Sequence, residues 1–83
     1  VRSVGIVSGG AAAILRQAAI DGLDMFVTGE AAEFVMHAAA EAAIHFVAAG
    51  HYNTERLGIR ALGDHVAERF ALDHEFIDLP NPV

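Results

Sequence analysis

The sequence contains no cysteine and no tryptophan, and its five lysine or arginine positions are all arginines. The absence of cysteine excludes a disulfide scaffold, a thiol nucleophile and a zinc site built on thiolates. Any metal chemistry must therefore use histidine and carboxylate ligands. Eleven acidic residues give a net charge of −6, so the chain offers no basic patch to a nucleic-acid backbone. This charge balance argues against nucleic acid as the main partner.

The sequence also lacks a long uncharged apolar run. Its most alanine-rich stretch, residues 31–49, is interrupted by Glu33, His37, Glu41 and His45, which places an ionisable group at every fourth position. A membrane-spanning helix needs about 20 predominantly apolar residues, and ionisable groups are rare within it. We therefore expect no membrane span. Because no secretory signal pattern opens the sequence, we expect a cytoplasmic protein.

The sequence is rich in small apolar residues. Hydrophobic residues make up 54% of its 83 positions, and alanine contributes much of this share. A chain of this length has room for one domain, residues 1–83. Such a domain buries only about 60% of the surface that its unfolded chain exposes. Marginal stability, or dependence on a partner, is therefore expected.

Short apolar runs alternate with helical patterns along the whole chain. The predicted strands are residues 4–7, 25–27, 44–47 and 74–79, and Pro80 ends the last of them. The segments between them show apolar residues at the spacing of a helix. The resulting β-α-β-α-β-α-β order predicts an α/β fold in which a mainly parallel sheet is covered by helices.

The third predicted helix carries a distinct apolar face. We expect Asn53 or Thr54 to cap its N-terminus, and we expect the apolar residues that follow to face the core. These residues are Leu57, Ile59, Leu62, Val66 and Phe70.

Three glycine-containing turns follow the predicted strands. The candidate pocket residues in them are Ser8, Gly9 and Gly10 in the first turn and Thr28, Gly29 and Glu30 in the second, and the third turn covers residues 50–55. Because the carboxyl ends of parallel strands share one edge of a sheet, these turns predict a ligand site there. Close backbone approach at glycine and free N–H groups at helix N-termini favour a small anionic or phosphorylated ligand. The alternative is that each glycine serves only to reverse the chain.

His51 and Glu55 stand four residues apart at the start of the third predicted helix. If helical geometry holds there, both side chains project to the same side. An imidazole nitrogen and a carboxylate on one face can bind zinc, manganese, iron or nickel. The alternative is a solvated or capping pair, since two ligands do not complete a metal site.

The residues around this pair resemble the NIF3-like family. The string Ala-Gly-His-Tyr-Asn-Thr-Glu at residues 49–55 is similar to the family's C-terminal signature, Ala-Gly-His-Tyr-x-Thr-Glu. Residues 24–30 are similar to its segment Asp-x-(apolar)₃-Thr-Gly-Asp/Glu, and residues 58–62 and 76–82 are similar to bacterial members. The resemblance is collinear and covers nearly all 83 residues.

This resemblance implies a toroidal, usually hexameric protein with a dinuclear metal centre, of the kind labelled a type 2 GTP cyclohydrolase I homologue. It implies that His51 and Glu55 are the C-terminal pair of metal ligands, and that Glu30 lies near the same pocket. Some family members carry a histidine four residues after the acid of the Thr-Gly-Asp/Glu segment. That position is Phe34 in this sequence, so the resemblance assigns no role to it.

Family members supply their other ligands from an N-terminal half that holds a His-His pair and an aspartate, and this half is absent from the 83 residues. The resemblance therefore implies a C-terminal lobe of a metal-dependent hydrolase that acts on a nucleotide-like or phosphorylated compound once joined to the missing half. The alternative is a non-catalytic module for oligomeric assembly or regulation, with a structural metal.

Overall fold

The computed structural model describes residues 1–81, and the chain within it divides into two compact units. The first, Val1–Gly50, is called the sheet unit here, and the second, His51–Val83, is called the helix unit. The sheet unit contains β1 (Val4–Ile6), a short 3₁₀ turn (Ala12–Ile14), α1 (Leu15–Ile20), β2 (Met25–Thr28), α2 (Val35–Glu41) and β3 (His45–Ala48). The helix unit contains α3 (His51–Phe70).

The three strands form one parallel sheet in the order β1-β2-β3. The first two strands are each followed by helical structure that leads to the next, so the predicted α/β class with a parallel sheet is confirmed. In the register of the sheet, Gly5 lies beside Phe26, and Phe26 lies beside Phe46.

The core of the sheet unit lies on the face of the sheet that carries Phe26. Phe26 and Leu15 are each 1% exposed, and the Phe26 ring lies 6.0 Å from the Phe46 ring. The other buried apolar residues are Ala11, Ala12, Ala18, Val35 and Ile44. Because four of the seven buried side chains are alanine or valine, α1 and α2 can approach this face closely, but each contact buries little area.

The opposite face of the sheet is uncovered. Side chains alternate between the two faces of a strand, so Val4 and Ile6 point away from the core that Phe26 marks. Ile6 is 76% exposed and Val4 is 47% exposed. The prediction that helices cover the sheet is therefore confirmed for one face only.

A hydrogen-bonded clamp ties the N-terminus to the turn before β2. The Asp24 carboxylate accepts the backbone N–H of Arg2 at 2.7 Å and that of Ser3 at 2.9 Å, and it accepts the Ser3 hydroxyl at 3.1 Å. The backbone N–H of Asp24 in turn donates to the Ser3 hydroxyl oxygen. The two backbone donors, followed by the Ser3 hydroxyl, lower the pKa of Asp24 below its ordinary value.

The helix unit is built on α3, which has no buried residue. Leu57, Ile59, Leu62 and Phe70 are all more than half exposed, so the prediction that this stripe faces a core is wrong for the structure. The helix also begins at His51, two residues before the predicted cap Asn53 and three before the alternative cap Thr54. Its start follows Gly50, whose positive φ of 80° turns the chain directly into the first helical residue.

The predicted fourth strand does not form. Residues 74–79 lie in an extended segment, called the strap here, that makes no β-ladder and runs back along α3. The His74 imidazole pairs with Asp64 at 3.0 Å, and the Phe76 ring lies under the guanidinium of Arg60 at 4.9 Å. Three alternate strap residues, His74, Phe76 and Asp78, contact α3. Their partners are α3 side chains instead of a neighbouring strand.

Two apolar side chains of the strap are exposed. Ile77 is 73% exposed and Leu79 is 77% exposed. Close packing on the inner side leaves no room for a side chain at Gly63, where a Cβ atom would overlap the His74 imidazole. Among the described residues, no helix combines the length and apolar character that crossing a membrane requires.

Candidate functional site

The carboxyl edge of the sheet brings the first two predicted turns into direct contact. The carbonyl oxygen of Gly9 accepts the Thr28 hydroxyl at 2.8 Å and the backbone N–H of Gly29 at 3.2 Å. It also accepts the N–H of Ala11 at 3.0 Å. Thr28 is 2% exposed, so its hydroxyl must find a partner within the protein. This buried hydrogen bond fixes the distance between the turns.

The glycines of these turns have two different roles. Gly9 has a φ of 75°, a left-handed conformation that serves the turn itself. Gly10 and Gly29 permit close approach, because a Cβ at Gly10 would lie 3.1 Å from a carboxylate oxygen of Glu30 and one at Gly29 would lie 3.2 Å from the Gly9 carbonyl oxygen. Glu30 therefore lies beside the first turn. Ser8, the first residue of that turn, is exposed.

The third turn joins the same edge through its backbone. The N–H of Ala49 donates to the Thr28 carbonyl at 2.8 Å, and that of Gly50 donates to the Gly29 carbonyl at 3.1 Å. The ends of all three strands therefore meet. The expectation of helix N-termini at the first two turns is wrong, because a 3₁₀ turn precedes α1 and residues 31–34 separate the second turn from α2.

His51 and Glu55 occupy the first turn of α3 and face each other. The imidazole Nδ1 lies 2.5 Å from the Glu55 Oε1, which is the i, i+4 geometry that the spacing predicts. The His51 side chain is 33% exposed and that of Glu55 is 62% exposed. When Nδ1 carries the proton that it donates to the carboxylate, Nε2 is the ring nitrogen with the lone pair that a metal ion binds. The pair thus combines two donor types that a divalent metal ion accepts.

An imidazole and a carboxylate are suitable ligands for a divalent metal ion, but two ligands are too few to complete a site. In residues 1–81, no cluster of three or more His, Asp or Glu side chains has a geometry that could hold a metal ion. A zinc site uses three or four protein ligands, and other divalent ions use more donors still. A complete metal site would therefore need more donors than residues 1–81 bring together.

A hydrogen-bonded network beside this pair was not predicted from the sequence. Tyr52 donates its hydroxyl to Asp78 at 2.7 Å, and Arg56 donates to the Tyr52 oxygen at 2.7 Å. The Arg56 guanidinium also lies 4.8 Å from the centre of the Tyr52 ring. The hydrogen bond to Asp78 is the main cause that raises the pKa of Tyr52. The i, i+4 spacing of Tyr52 and Arg56 was a signal for their contact, whereas nothing local pointed to Asp78.

The network shows that Arg56 makes intramolecular contacts. Arg56 forms an i, i+4 pair with Tyr52 on α3. Its guanidinium also lies 3.7 Å from the Asp78 carboxylate. Arg56 therefore anchors the strap to α3.

Comparisons with known proteins place these features in a family. A protein called GTP cyclohydrolase 1 type 2 homolog from Pseudomonas aeruginosa is 48% identical over 82 residues, which are 99% of this chain and 32% of the relative. The protein of the same name from Yersinia pestis is 49% identical over 82 residues and is covered over 33% of its length. The chain thus spans about a third of the length of the curated relatives it matches.

Solved structures agree with this result. The structure of protein ybgI, described as being of unknown function, matches 96% of this chain with a TM-score of 0.89 and 48% identity, over 32% of its own length. The crystal structure of TTHA1606 from Thermus thermophilus matches 94% of this chain with a TM-score of 0.81 and 37% identity, over 31% of its own length. The model of one family matches residues 1–82. The chain therefore belongs to the Duf34/NIF3 (NGG1p interacting factor 3) family.

Proposed function

We propose that this chain supplies two ligands, His51 and Glu55, to a divalent metal site of a NIF3-family protein. The observation that carries this proposal is the 2.5 Å approach of the two side chains on the first turn of α3. The hydrogen bond fixes the ring through Nδ1, so the imidazole would bind a metal ion through Nε2 and Glu55 would bind through its second carboxylate oxygen. The family resemblance points to two ions per complete site, with zinc, iron, manganese and nickel all compatible with these donors.

We further propose that the complete site belongs to a hydrolase. A divalent metal ion bound there would lower the pKa of a coordinated water molecule and so supply a nucleophile near neutral pH. His51 would orient its ring through the hydrogen bond to Glu55, and the Glu55 carboxylate would offset the positive charge of the ion. Both side chains are partly exposed, so a substrate has access to them.

For the substrate we propose a nucleotide-like or phosphorylated compound. The support is the name of the curated relatives, GTP cyclohydrolase 1 type 2 homolog, and the resemblance to that group of proteins. The chain carries a net charge of −6, so its own side chains do not attract an anion. The positive charge that such a compound requires would come from the metal ions.

A second candidate function is an oligomeric assembly module with a structural metal, of the hexameric type that the resemblance suggests. The exposed apolar stripe of α3 favours it, because Ile59, Leu62 and Phe70 lie on one side of the helix and are all more than half exposed. Extended apolar surface on a small chain marks a site of protein contact. The two candidates share the ligand pair and differ only in turnover.

The ligand assignment is tested by titrating the 83-residue chain with Zn²⁺ while the imidazole NMR signals are recorded. We expect the His51 signals to shift saturably, and we expect Glu55→Ala to weaken binding at least tenfold. The matched control is Asp64→Ala, which removes the carboxylate of the other histidine pair in the same unit, at 3.0 Å from His74. Unchanged binding in Glu55→Ala, or an equal loss in Asp64→Ala, would contradict the assignment.

Turnover is tested in a graft, in which this chain replaces the 82 aligned residues of the Pseudomonas aeruginosa relative. A hydrolase predicts metal-dependent release of product from at least one member of a panel of nucleotides and phosphate esters, and loss of that release in His51→Ala. A graft that holds metal in stoichiometric amounts and hydrolyses nothing in the panel would favour the assembly module.

A further inference from the structure

The start of α3 carries two side-chain pairs that span the same turn of helix. His51 and Glu55 form the ligand pair, and Tyr52 and Arg56 form a second pair, each with a spacing of four residues. This spacing brings side chains together because the chain between them is helical. One turn of helix therefore sets the geometry of both pairs, and opening of that turn would separate both.

This first turn is the part of α3 that is most prone to fraying. The first N–H groups of a helix have no partner within it, and helix ends open for this reason. Gly50 precedes the helix and has no side chain with which to cap it. An acidic residue in the first turn would offset the positive end of the helix dipole, but the first turn of α3 contains none. A contact that holds this turn closed would therefore change how often the ligand pair is assembled.

Asp78 of the strap brings a carboxylate to this turn. Its Oδ1 accepts the Tyr52 hydroxyl at 2.7 Å, and its Oδ2 lies 3.7 Å from Nη1 of Arg56. Arg56 donates to the same Tyr52 oxygen at 2.7 Å, so the three side chains contact one another. The side chains of Arg56 and Asp78 are 34% and 49% exposed, so solvent screens this contact only in part. The contact joins the start of α3 to a residue 26 positions after Tyr52.

We propose that Asp78 is a positioning residue for the ligand pair, which it keeps assembled through Tyr52 and Arg56. By holding these two side chains together, Asp78 favours the helical form of the turn. The helical form in turn keeps the His51 imidazole against the Glu55 carboxylate. This role rests on the proposed function, in which the pair binds a metal ion.

Asp78 would act on the turn and not as a further ligand. Successive residues of an α-helix are rotated by about 100°, so Tyr52 and Arg56 project from a different side of α3 than the ligand pair does. Among residues 1–81, no third His, Asp or Glu side chain joins the pair in a cluster that could hold a metal ion.

The tautomer of His51 reports whether the ligand pair is assembled, even without a metal ion. The hydrogen bonds of a neutral imidazole decide which ring nitrogen carries the proton. The contact with Glu55 selects Nδ1, whereas a released ring populates both tautomers. The ¹⁵N chemical shifts of the two ring nitrogens measure this ratio by NMR. A pH of about 9 lies well above the ordinary histidine pKa of about 6.5 and suits the measurement.

The test compares three variants of the 83-residue chain with the parent chain, all free of metal. Asp78→Ala removes the strap carboxylate. Tyr52→Phe removes only the hydroxyl that Asp78 accepts and keeps the ring, so it guards against a variant that fails to fold. The matched control Asp73→Ala removes an exposed carboxylate that precedes the strap.

We expect the parent chain and Asp73→Ala to hold His51 mainly as the tautomer with the proton on Nδ1. In Asp78→Ala and Tyr52→Phe we expect the ratio of this tautomer to the other to fall at least about threefold. An unchanged ratio in both variants would overturn the proposal. An equal fall in Asp73→Ala would also overturn it, because the effect would then not be specific to the network.

A titration with Zn²⁺ separates this role from the proposed function. If the parent chain binds Zn²⁺ through His51, Asp78→Ala should bind it at least about threefold more weakly, since affinity falls with the fraction of chains in which the pair is assembled. Equal affinity in the two chains would contradict the positioning role and leave the ligand assignment intact. Absence of binding in the parent chain would contradict the ligand assignment, and the tautomer ratio would still decide whether Asp78 assembles the pair.

Discussion

The sheet unit and the helix unit are held together by different forces. The sheet unit buries seven apolar residues, with Phe26 among them, and adds the buried hydroxyl of Thr28. The described residues of the helix unit include no buried side chain, and the strap is attached by ion pairs, a tyrosine hydroxyl and cation–π contacts. One unit therefore has its own core, and the other has only surface contacts.

This difference bears on the candidate site. Burial of one large apolar side chain contributes about 1.5–3 kcal/mol, whereas an exposed ion pair contributes about 0–1 kcal/mol. The helix unit must therefore be the less stable of the two when the chain is alone. His51 and Glu55 lie in that unit, so a rigid metal site requires contacts that α3 lacks here. The exposed stripe of α3 is the surface on which such contacts would form.

The largest expected effect comes from exchanging one phenylalanine in each unit. Phe26→Ala empties the centre of the sheet-unit core, where the side chain is 1% exposed, and should lower the free energy of unfolding by about 3–5 kcal/mol. Phe70→Ala removes the same side chain from α3, where it is 64% exposed, and should change stability by less than about 0.5 kcal/mol. Urea denaturation followed by circular dichroism measures both. Equal losses in the two variants would remove the contrast between the units.

A smaller effect is expected at the junction of the first two turns. Thr28→Val keeps the shape of the buried side chain but removes its hydrogen bond to the Gly9 carbonyl oxygen, with an expected loss of about 1–2 kcal/mol. Thr28→Ser keeps the hydroxyl and serves as the control for the hydrogen bond. The same denaturation experiment should rank the valine variant below the serine variant. The opposite order would show that methyl packing matters more than the hydrogen bond.

The Asp24 clamp should make the sheet unit sensitive to acid. Because hydrogen bonds lower the pKa of Asp24 in the folded protein, its stabilising effect is present above the unfolded value of 3.8 and is lost as the pH falls through the folded value. The urea midpoint should therefore fall less between about pH 6 and pH 3 in Asp24→Asn than in the parent chain. Asp21→Asn, at a carboxylate that accepts a hydrogen bond from the Gln17 amide within the same helix, is the control and should retain the parental slope. If the urea midpoint of Asp24→Asn falls with pH as steeply as that of the parent chain, the clamp is not the cause of the acid sensitivity.

The strap should raise the titration midpoint of Tyr52. This residue is the only tyrosine and the chain has no tryptophan, so the phenolate absorbance reports on it alone. The hydrogen bond to Asp78 raises the pKa of Tyr52 above 10.0, so the stabilisation is complete below that unfolded value and is lost as the pH rises through the folded value. Asp78→Asn should lower the midpoint towards the ordinary value of a tyrosine, while Asp73→Asn should not. An unchanged midpoint in Asp78→Asn would mean that the strap is detached in solution.

Much of the sheet unit could be predicted from the sequence, because its signals are local. The apolar runs at β1, β2 and β3 are each followed by a glycine-containing turn, and the strand order follows from short helical connections. The i, i+4 spacing likewise predicted the contact between His51 and Glu55. These features depend on neighbours in sequence, which a pattern records.

The helix unit was harder to predict, because the local pattern does not show which surface its apolar residues contact. The apolar run in residues 74–79 predicted a strand, but the strap instead contacts Tyr52, Arg60 and Asp64 of α3. The apolar stripe of α3 predicted burial, but its residues are exposed. A hydrophobic pattern shows which side chains favour burial and does not show whether a covering surface is present.

The contrast between the units is tested most directly by amide hydrogen exchange on the 83-residue chain, measured residue by residue by NMR. We predict that the amides of β2, in the centre of the sheet, exchange by global unfolding of the sheet unit. We also predict that the amides of α3 exchange at least about tenfold faster, through opening of the helix unit alone. Equal protection of α3 and β2 would show that the two units unfold together, and would contradict the contrast between them.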